Sequence, residues 1–133
     1  MITYEVTEYM SDLSDIKKTR EHWYQAYFEG NTEQLKEIEA ADFYVSSPKG
    51  KLDREKRYES IQKAIESGKW FNQSTVKEED ALQFLLNDGK AKISGHGRML
   101  ANGTAFSDML FEENWIKSKQ GWKVKALHID KQG

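Results

Sequence analysis

The chain has no cysteine, one proline in 133 residues, and no excess of either charge. The missing cysteine excludes disulfides, thiolate nucleophiles and cysteine metal sites, and suits a reducing compartment. Nowhere do about eighteen apolar residues run together, so no membrane-spanning helix is expected. The first residues, Met-Ile-Thr-Tyr-Glu-Val-Thr-Glu, lack the basic and apolar segments of a leader. The expectation is a soluble cytoplasmic protein with no membrane partner. Twenty Lys and Arg against 22 Asp and Glu give a net charge of −2. No basic stripe is left to neutralise phosphates, so nucleic acid is not an expected partner. Phosphate-binding glycine loops, Gly-x-Ser-x-Gly elbows and His-x-x-x-His pairs are absent too. His22, His96 and His128 are scattered, and neither a metal nor a cofactor is expected.

Six Phe, six Tyr and four Trp supply the large apolar bodies of a core, and the length suits one domain, residues 1–133. Residues 1–10 read as a flexible or edge lead-in. Ser11 or Asp12 can then cap a helix in which Leu13, Ile16, Trp23, Ala26 and Tyr27 recur near a 3.6-residue period, ending at Gly30. Asn31 and Thr32 ahead of Glu33 and Gln34 start a short second helix that buries Leu35 and Ile38. Asp42 to Ser46 has strand character and stops at the turn Ser47-Pro48-Lys49-Gly50. Asp53 caps a third helix with Tyr58, Ile61, Ala64 and Ile65 on one stripe, stopped by Gly68. From Trp70 the period changes to two, weakly at first and clearly after Asn87-Asp88-Gly89. Asn102-Gly103 is a strong two-residue hairpin signal.

This order, with Trp23-x-x-Ala26-x-x-x-x-Gly30-Asn31, Asp42-Phe43, Phe111-x-x-x-Trp115 and Gly121-Trp122-Lys123-Val124 ending in Leu127-His128-Ile129, resembles the nuclear transport factor 2-like superfamily, especially its SnoaL-like and ketosteroid-isomerase-like members. The resemblance implies an α+β cone, with N-terminal helices packed on the concave face of a strongly curved antiparallel sheet and a pocket between them. It also implies a homodimer paired through the outer sheet face.

Strand parity divides the side chains between the two faces. Counting back from Asn102-Gly103 sets Arg98 against Ser107, His96 against Met109 and Ser94 against Phe111. The last hairpin turns at Lys119-Gln120-Gly121, by an even loop or by a three-residue turn; the three-residue type sets Ser118 or Ile116 against Trp122. Ser94, His96, Arg98, Met109, Phe111, Glu113, Trp115, Lys125, Leu127 and Ile129 then share the face expected to be concave. Met99, Phe106, Asp108, Leu110, Glu112, Asn114, Trp122, Val124, Ala126 and His128 share the other. Large apolar residues on both faces point to pairing between chains. The expected interface is Leu110, Trp122, Val124, Ala126 and His128. A one-residue slip in the last hairpin puts His128 inside instead.

The expected ligand site is therefore Trp23, Tyr27, His96, Arg98, Met109, Phe111, Glu113, Trp115, Lys125 and Leu127. His96 between two glycines can serve as a base or donor, or be a half-exposed strand histidine beside a bend. Glu113 can be an acid or base if burial raises its pKa, and Arg98 can hold a carboxylate or pair with Glu113. Three functions stay open: a small-molecule binder with an apolar cavity; a cofactor-independent isomerase, dehydratase or cyclase using His96 or Glu113 on a carbonyl substrate, with a tyrosine or Arg98 at the oxyanion; or a dimerisation domain whose cavity is filled by its own side chains.

Overall fold

The computed structural model describes residues 5–71 and 75–131. Three helices, α1 (Val6–Glu29), α2 (Thr32–Ile38) and α3 (Arg54–Glu66), lie among the described residues with strands β1 (Glu39–Ser47), β2 (Gly50–Asp53), β3 (Thr75–Asn87), β4 (Lys90–Ala101), β5 (Thr104–Ser118) and β6 (Gly121–Lys131). The strands form one sheet ordered β2-β1-β6-β5-β4-β3. All pairs are antiparallel except β1 with β6, because β1 reaches the sheet from the helices and runs alongside the last strand. The helices cover one face of the sheet, which is the α+β cone expected.

The helix signals act where they were read. Asn31 accepts from the Gln34 amide at 3.1 Å and Asp53 from the Lys56 amide at 2.9 Å, each filling an orphan donor of a first turn. Gly30 closes α1 in the left-handed region at φ 68°. The start of α1 differs from expectation: it begins at Val6, so only Met1 to Tyr4 of the supposed lead-in lie outside the described residues. Val6 and Met10 are exposed, which is why no apolar period marks the first turns. Asp12 is no cap. It lies within the helix, buried, and accepts from Lys117 of β5 at 2.7 Å.

Three bulges decide which side chains face the helices, since one extra residue reverses parity. In β5 the register steps between Met99–Ser107 and Leu100–Ala105, leaving Phe106 unpaired. Arg98 therefore opposes Asp108, His96 opposes Leu110 and Gly95 opposes Phe111. In β6 the turn is the even one, with Ser118 opposite Gly121 and Trp115 opposite Val124; the step to Asn114–Ala126 then leaves Lys125 as the extra residue. In β3 the step falls between Asp80 and Gln83, with Ala81 at φ 54°.

These registers correct the expected faces. Trp122 and Val124, assigned to the outer face, are buried in the core with Trp115. Met99 turns toward the helices, whereas Ser94, His96, Arg98 and Lys125 turn away. Leu110, Ala126 and His128 do lie on the outer side, in register with Asp130, Asn114 and Glu112. The glycines flanking His96 serve Phe111: a Cβ on Gly95 meets the Phe111 ring at 3.2 Å and Leu82 at 2.9 Å.

Candidate functional site

A cavity of about 320 Å³ opens between the helices and the concave face. It sits at the small end of the roughly 300–1,000 Å³ usual for small-molecule sites. α1 contributes Trp23, Tyr24 and Tyr27, and α3 contributes Arg57, Ser60 and Ile61. The sheet contributes Gly97, Met99, Met109, Phe111, Leu127 and Ile129, with Lys77 and Glu79 from β3. Trp70 closes one end; its indole N–H reaches two of the last carbonyls of α1, those of Tyr27 and Phe28, at 3.2 and 3.1 Å, the Tyr27 oxygen also accepting from the Gly30 amide.

Two buried polar clusters support these walls. Arg20 of α1, 4% exposed, clasps two carboxylates at once. Its Nε and Nη2 donate to Glu113 at 2.8 Å each, and Nη1 and Nη2 donate to Glu79 at 2.9 and 2.5 Å. Glu113 is fully buried and also accepts from the Tyr24 hydroxyl at 2.8 Å and the Trp115 indole at 3.0 Å. Lys77 donates to Glu79 at 2.7 Å, so two cations balance two carboxylates. Burial by itself raises the Glu79 pKa, but the hydrogen bonds and charge of Arg20, then Lys77, hold it below the ordinary carboxylate value. Burial, then the charge of Glu113, pushes the Tyr24 phenol well up, so it stays a donor.

The second cluster surrounds Glu39, 1% exposed. It accepts from the Trp23 indole at 2.8 Å, from Arg57 Nη1 at 2.6 Å and from the Tyr58 hydroxyl at 2.8 Å. Burial and the Glu39 charge push the Tyr58 phenol up.

Of the expected ligand residues, Trp23, Tyr27, Met109, Phe111 and Leu127 line the cavity, as does Arg98 at its rim. Arg98 extends its guanidinium to Glu78 on the surface, at 2.6 Å, instead of pairing with Glu113. Glu113 and Trp115 sit behind the wall, fully or almost fully buried, and are not among the lining residues. Lys125 is on the outer side, paired with Asp42 at 3.0 Å. His96 is there as well, its Nδ1 2.9 Å from Asp80 and its Nε2 against Asp108. Of the two acid–base candidates, then, one is sealed in the core and the other faces away from the cavity. Residues not singled out beforehand are Arg20, Glu39, Arg57, Lys77 and Glu79. Arg20 and Arg57 carried a signal, since each sits at helical spacing within an apolar stripe.

The His96 bridge has a measurable consequence. Hydrogen bonds that the ring donates to Asp108 first and Asp80 second, with the charges of those carboxylates, raise its pKa above the ordinary value near 6.5. A raised pKa stabilises the fold below the unfolded value, and that contribution disappears as pH climbs through the folded one. NMR titration will find His96 above the ordinary value, and Asp108→Asn will lower it. An unshifted His96 in the wild type contradicts the bridge.

No group of His, Asp and Glu side chains suited to a metal gathers among the described residues. Among the described residues, no helix is long and apolar enough to cross a membrane.

No protein-family model and no curated protein sequence matches the chain. Solved structures do. A candidate dehydratase of the nuclear transport factor 2-like family from Streptomyces avermitilis superposes with a TM-score of 0.75 at 12% identity over 92% of this chain and 97% of that one. A nuclear transport factor 2-like superfamily protein from Salmonella enterica serovar Typhimurium gives 0.74 at 14% identity, covering 93% of each chain. A protein of unknown function with a cystatin-like fold from Nostoc punctiforme gives 0.74 at 9% identity, covering 98% of this chain and 96% of that one. Identities this low speak for fold alone: the chain has the nuclear transport factor 2-like fold.

Proposed function

We propose that the protein binds a small, compact, amphipathic molecule in the cavity between helices and sheet, and that it does so as a homodimer paired through the outer sheet face. The observation that carries the reading is the cavity itself, with largely aromatic and aliphatic walls and charged groups that are already paired. Its one lining carboxylate, Glu79, is bound by Arg20 and Lys77 and kept ionised, which makes it a poor proton acceptor for carbon acids. Glu113 spends both oxygens on Arg20, Tyr24 and Trp115. These pairings favour binding over acid–base catalysis, and the open volume favours it over a filled cone.

Trp23 and Trp70 line the cavity and report on its contents. Titration with small aromatic and alicyclic compounds will change tryptophan emission, and a ligand at 100 times its Kd will add about 2.7 kcal/mol of stability. Gly97→Val serves as the control. A Cβ at Gly97 stands 3.5 Å from the Phe111 ring, so the backbone tolerates it while the branches enter the cavity. Binding should fall at least about tenfold, the equivalent of 1.4 kcal/mol. Undiminished binding to Gly97→Val moves the site elsewhere, and no binding by any compound ends the proposal.

For the dimer, Leu110 is 46% exposed on the outer face, with Val76 and Leu85 also exposed on the sheet. Light scattering at micromolar concentration will give twice the chain mass, and Leu110→Glu will halve it. A wild-type monomer removes this part of the proposal.

A further inference from the structure

We propose that the cavity's ligand is an organic carboxylate with an apolar body, and that Arg57 holds the carboxylate with Tyr27 beside it. The inference rests on the cavity being a binding site and assigns the class of molecule that enters it.

Arg57 is 8% exposed, lines the cavity, and donates one hydrogen bond, from Nη1 to Glu39. A guanidinium carries five N–H donors and accepts nothing. Its Nε and Nη2 have no acceptor among the described residues. Neither nitrogen is sealed off, since the one fully buried side-chain nitrogen without a partner among the described residues is Trp122 Nε1; Arg57 lines the cavity, so its free N–H groups are open to an acceptor that enters from outside the protein.

The group is also held in place. The Tyr27 ring lies 5.0 Å and the Phe43 ring 5.4 Å from the guanidinium carbon. Glu39, which anchors Nη1, is itself fixed by Trp23 and Tyr58. An immobilised planar fork with adjacent free N–H groups matches the two oxygens of a carboxylate, and little ordering is left to pay for on binding.

The other ionisable groups around the cavity do not compete. Lys77 is taken by Glu79, and Arg98 by Glu78. Glu39 spreads its charge over three donors, so Arg57 is only partly neutralised by it. The Tyr27 hydroxyl has no hydrogen-bond partner among the described residues, and burial, opposed by Arg57, keeps it protonated as a second donor. Around this polar end, Trp23, Phe111, Leu127 and Ile129 supply apolar surface for the rest of the ligand.

A matched pair of probes tests this: 2-naphthoate and its neutral isostere 2-naphthamide, titrated by tryptophan fluorescence. Naphthoate should bind about tenfold more tightly or better, as hydrogen bonds to a charged group imply. Arg57→Gln, which keeps a donor for Glu39, should erase most of that preference. Tyr27→Phe should weaken naphthoate about threefold to tenfold, the range of one hydrogen bond. Equal binding of acid and amide overturns the carboxylate assignment and leaves the cavity's binding role standing. An undiminished preference in Arg57→Gln overturns the assignment to Arg57. If neither probe binds, while neutral apolar compounds do, the carboxylate assignment fails alone; if nothing binds, both readings fail. Should Arg57→Gln not fold, Tyr27→Phe and the wild-type acid-to-amide ratio decide.

Discussion

Arg20→Met will cost about 3–5 kcal/mol, the usual loss when one partner of a buried ion pair is removed. Against a total stability of roughly 5–15 kcal/mol, this is enough to unfold a large share of the protein at modest urea concentration. Methionine fills much of the arginine's volume, so the loss reports on charge. Glu113, with no exposure, and the half-buried Glu79 are left as two carboxylates facing each other with only Lys77, Tyr24 and Trp115 to support them. Adding Glu79→Gln and Glu113→Gln to Arg20→Met should recover part of the loss, because the uncompensated charges go while most hydrogen bonds remain.

The same substitution has a pH signature. Glu79 is held below its ordinary pKa, so its contribution is fully present above the unfolded value near 4.3 and disappears as pH falls through the lower folded value. The gap between wild type and Arg20→Met will therefore narrow in acid. A loss under about 1 kcal/mol at neutral pH, the level of an exposed pair, is incompatible with the clamp described.

That clamp also marks where the sequence stopped being legible. Element order and helix caps could be read because they depend on local chemistry: Asn31, Asp53, Gly30 and Asn102-Gly103 each act within a turn. Strand faces depend on counting, and counting fails at a bulge. Phe106, exposed and unpaired, carries no residue-type signal for the extra position, yet it turns His96 and Arg98 outward. Around Lys119 and Gln120 two departures offset each other. The even turn brings Trp122 and Val124 inside, and the bulge at Lys125 then returns Leu127 and Ile129 to the same side. Those last two residues thus sit where parity placed them, through a different register.

The charged residues were misjudged for another reason. In α3, Arg57 lies four residues before Ile61 on the buried stripe, a position that its charge alone would assign to a solvated face. Arg20 likewise lies four after Ile16 and three before Trp23. An arginine at a core position of a helix implies buried carboxylates elsewhere, but only the fold says that they are Glu39, Glu79 and Glu113.

Trp23→Ala will be the other severe change, at about 3–5 kcal/mol, the range for truncating a large buried aromatic. Trp23 is 2% exposed, meets Phe43 and Trp115 edge to face at 6.0 and 5.5 Å, and gives its N–H to Glu39. Trp23→Phe separates these roles. It keeps an aromatic ring in the stack but leaves Glu39 one donor short, a deficit of about 1–3 kcal/mol. Because Trp23 also lines the cavity, alanine enlarges the space while phenylalanine changes it little. Urea melts should rank wild type above Trp23→Phe above Trp23→Ala, and Trp23→Ala, where folded, should accept bulkier ligands than wild type. If the two variants lose stability equally, the indole matters for its hydrogen bond to Glu39 and not for its bulk, and the aromatic stack has little part in shaping the cavity wall.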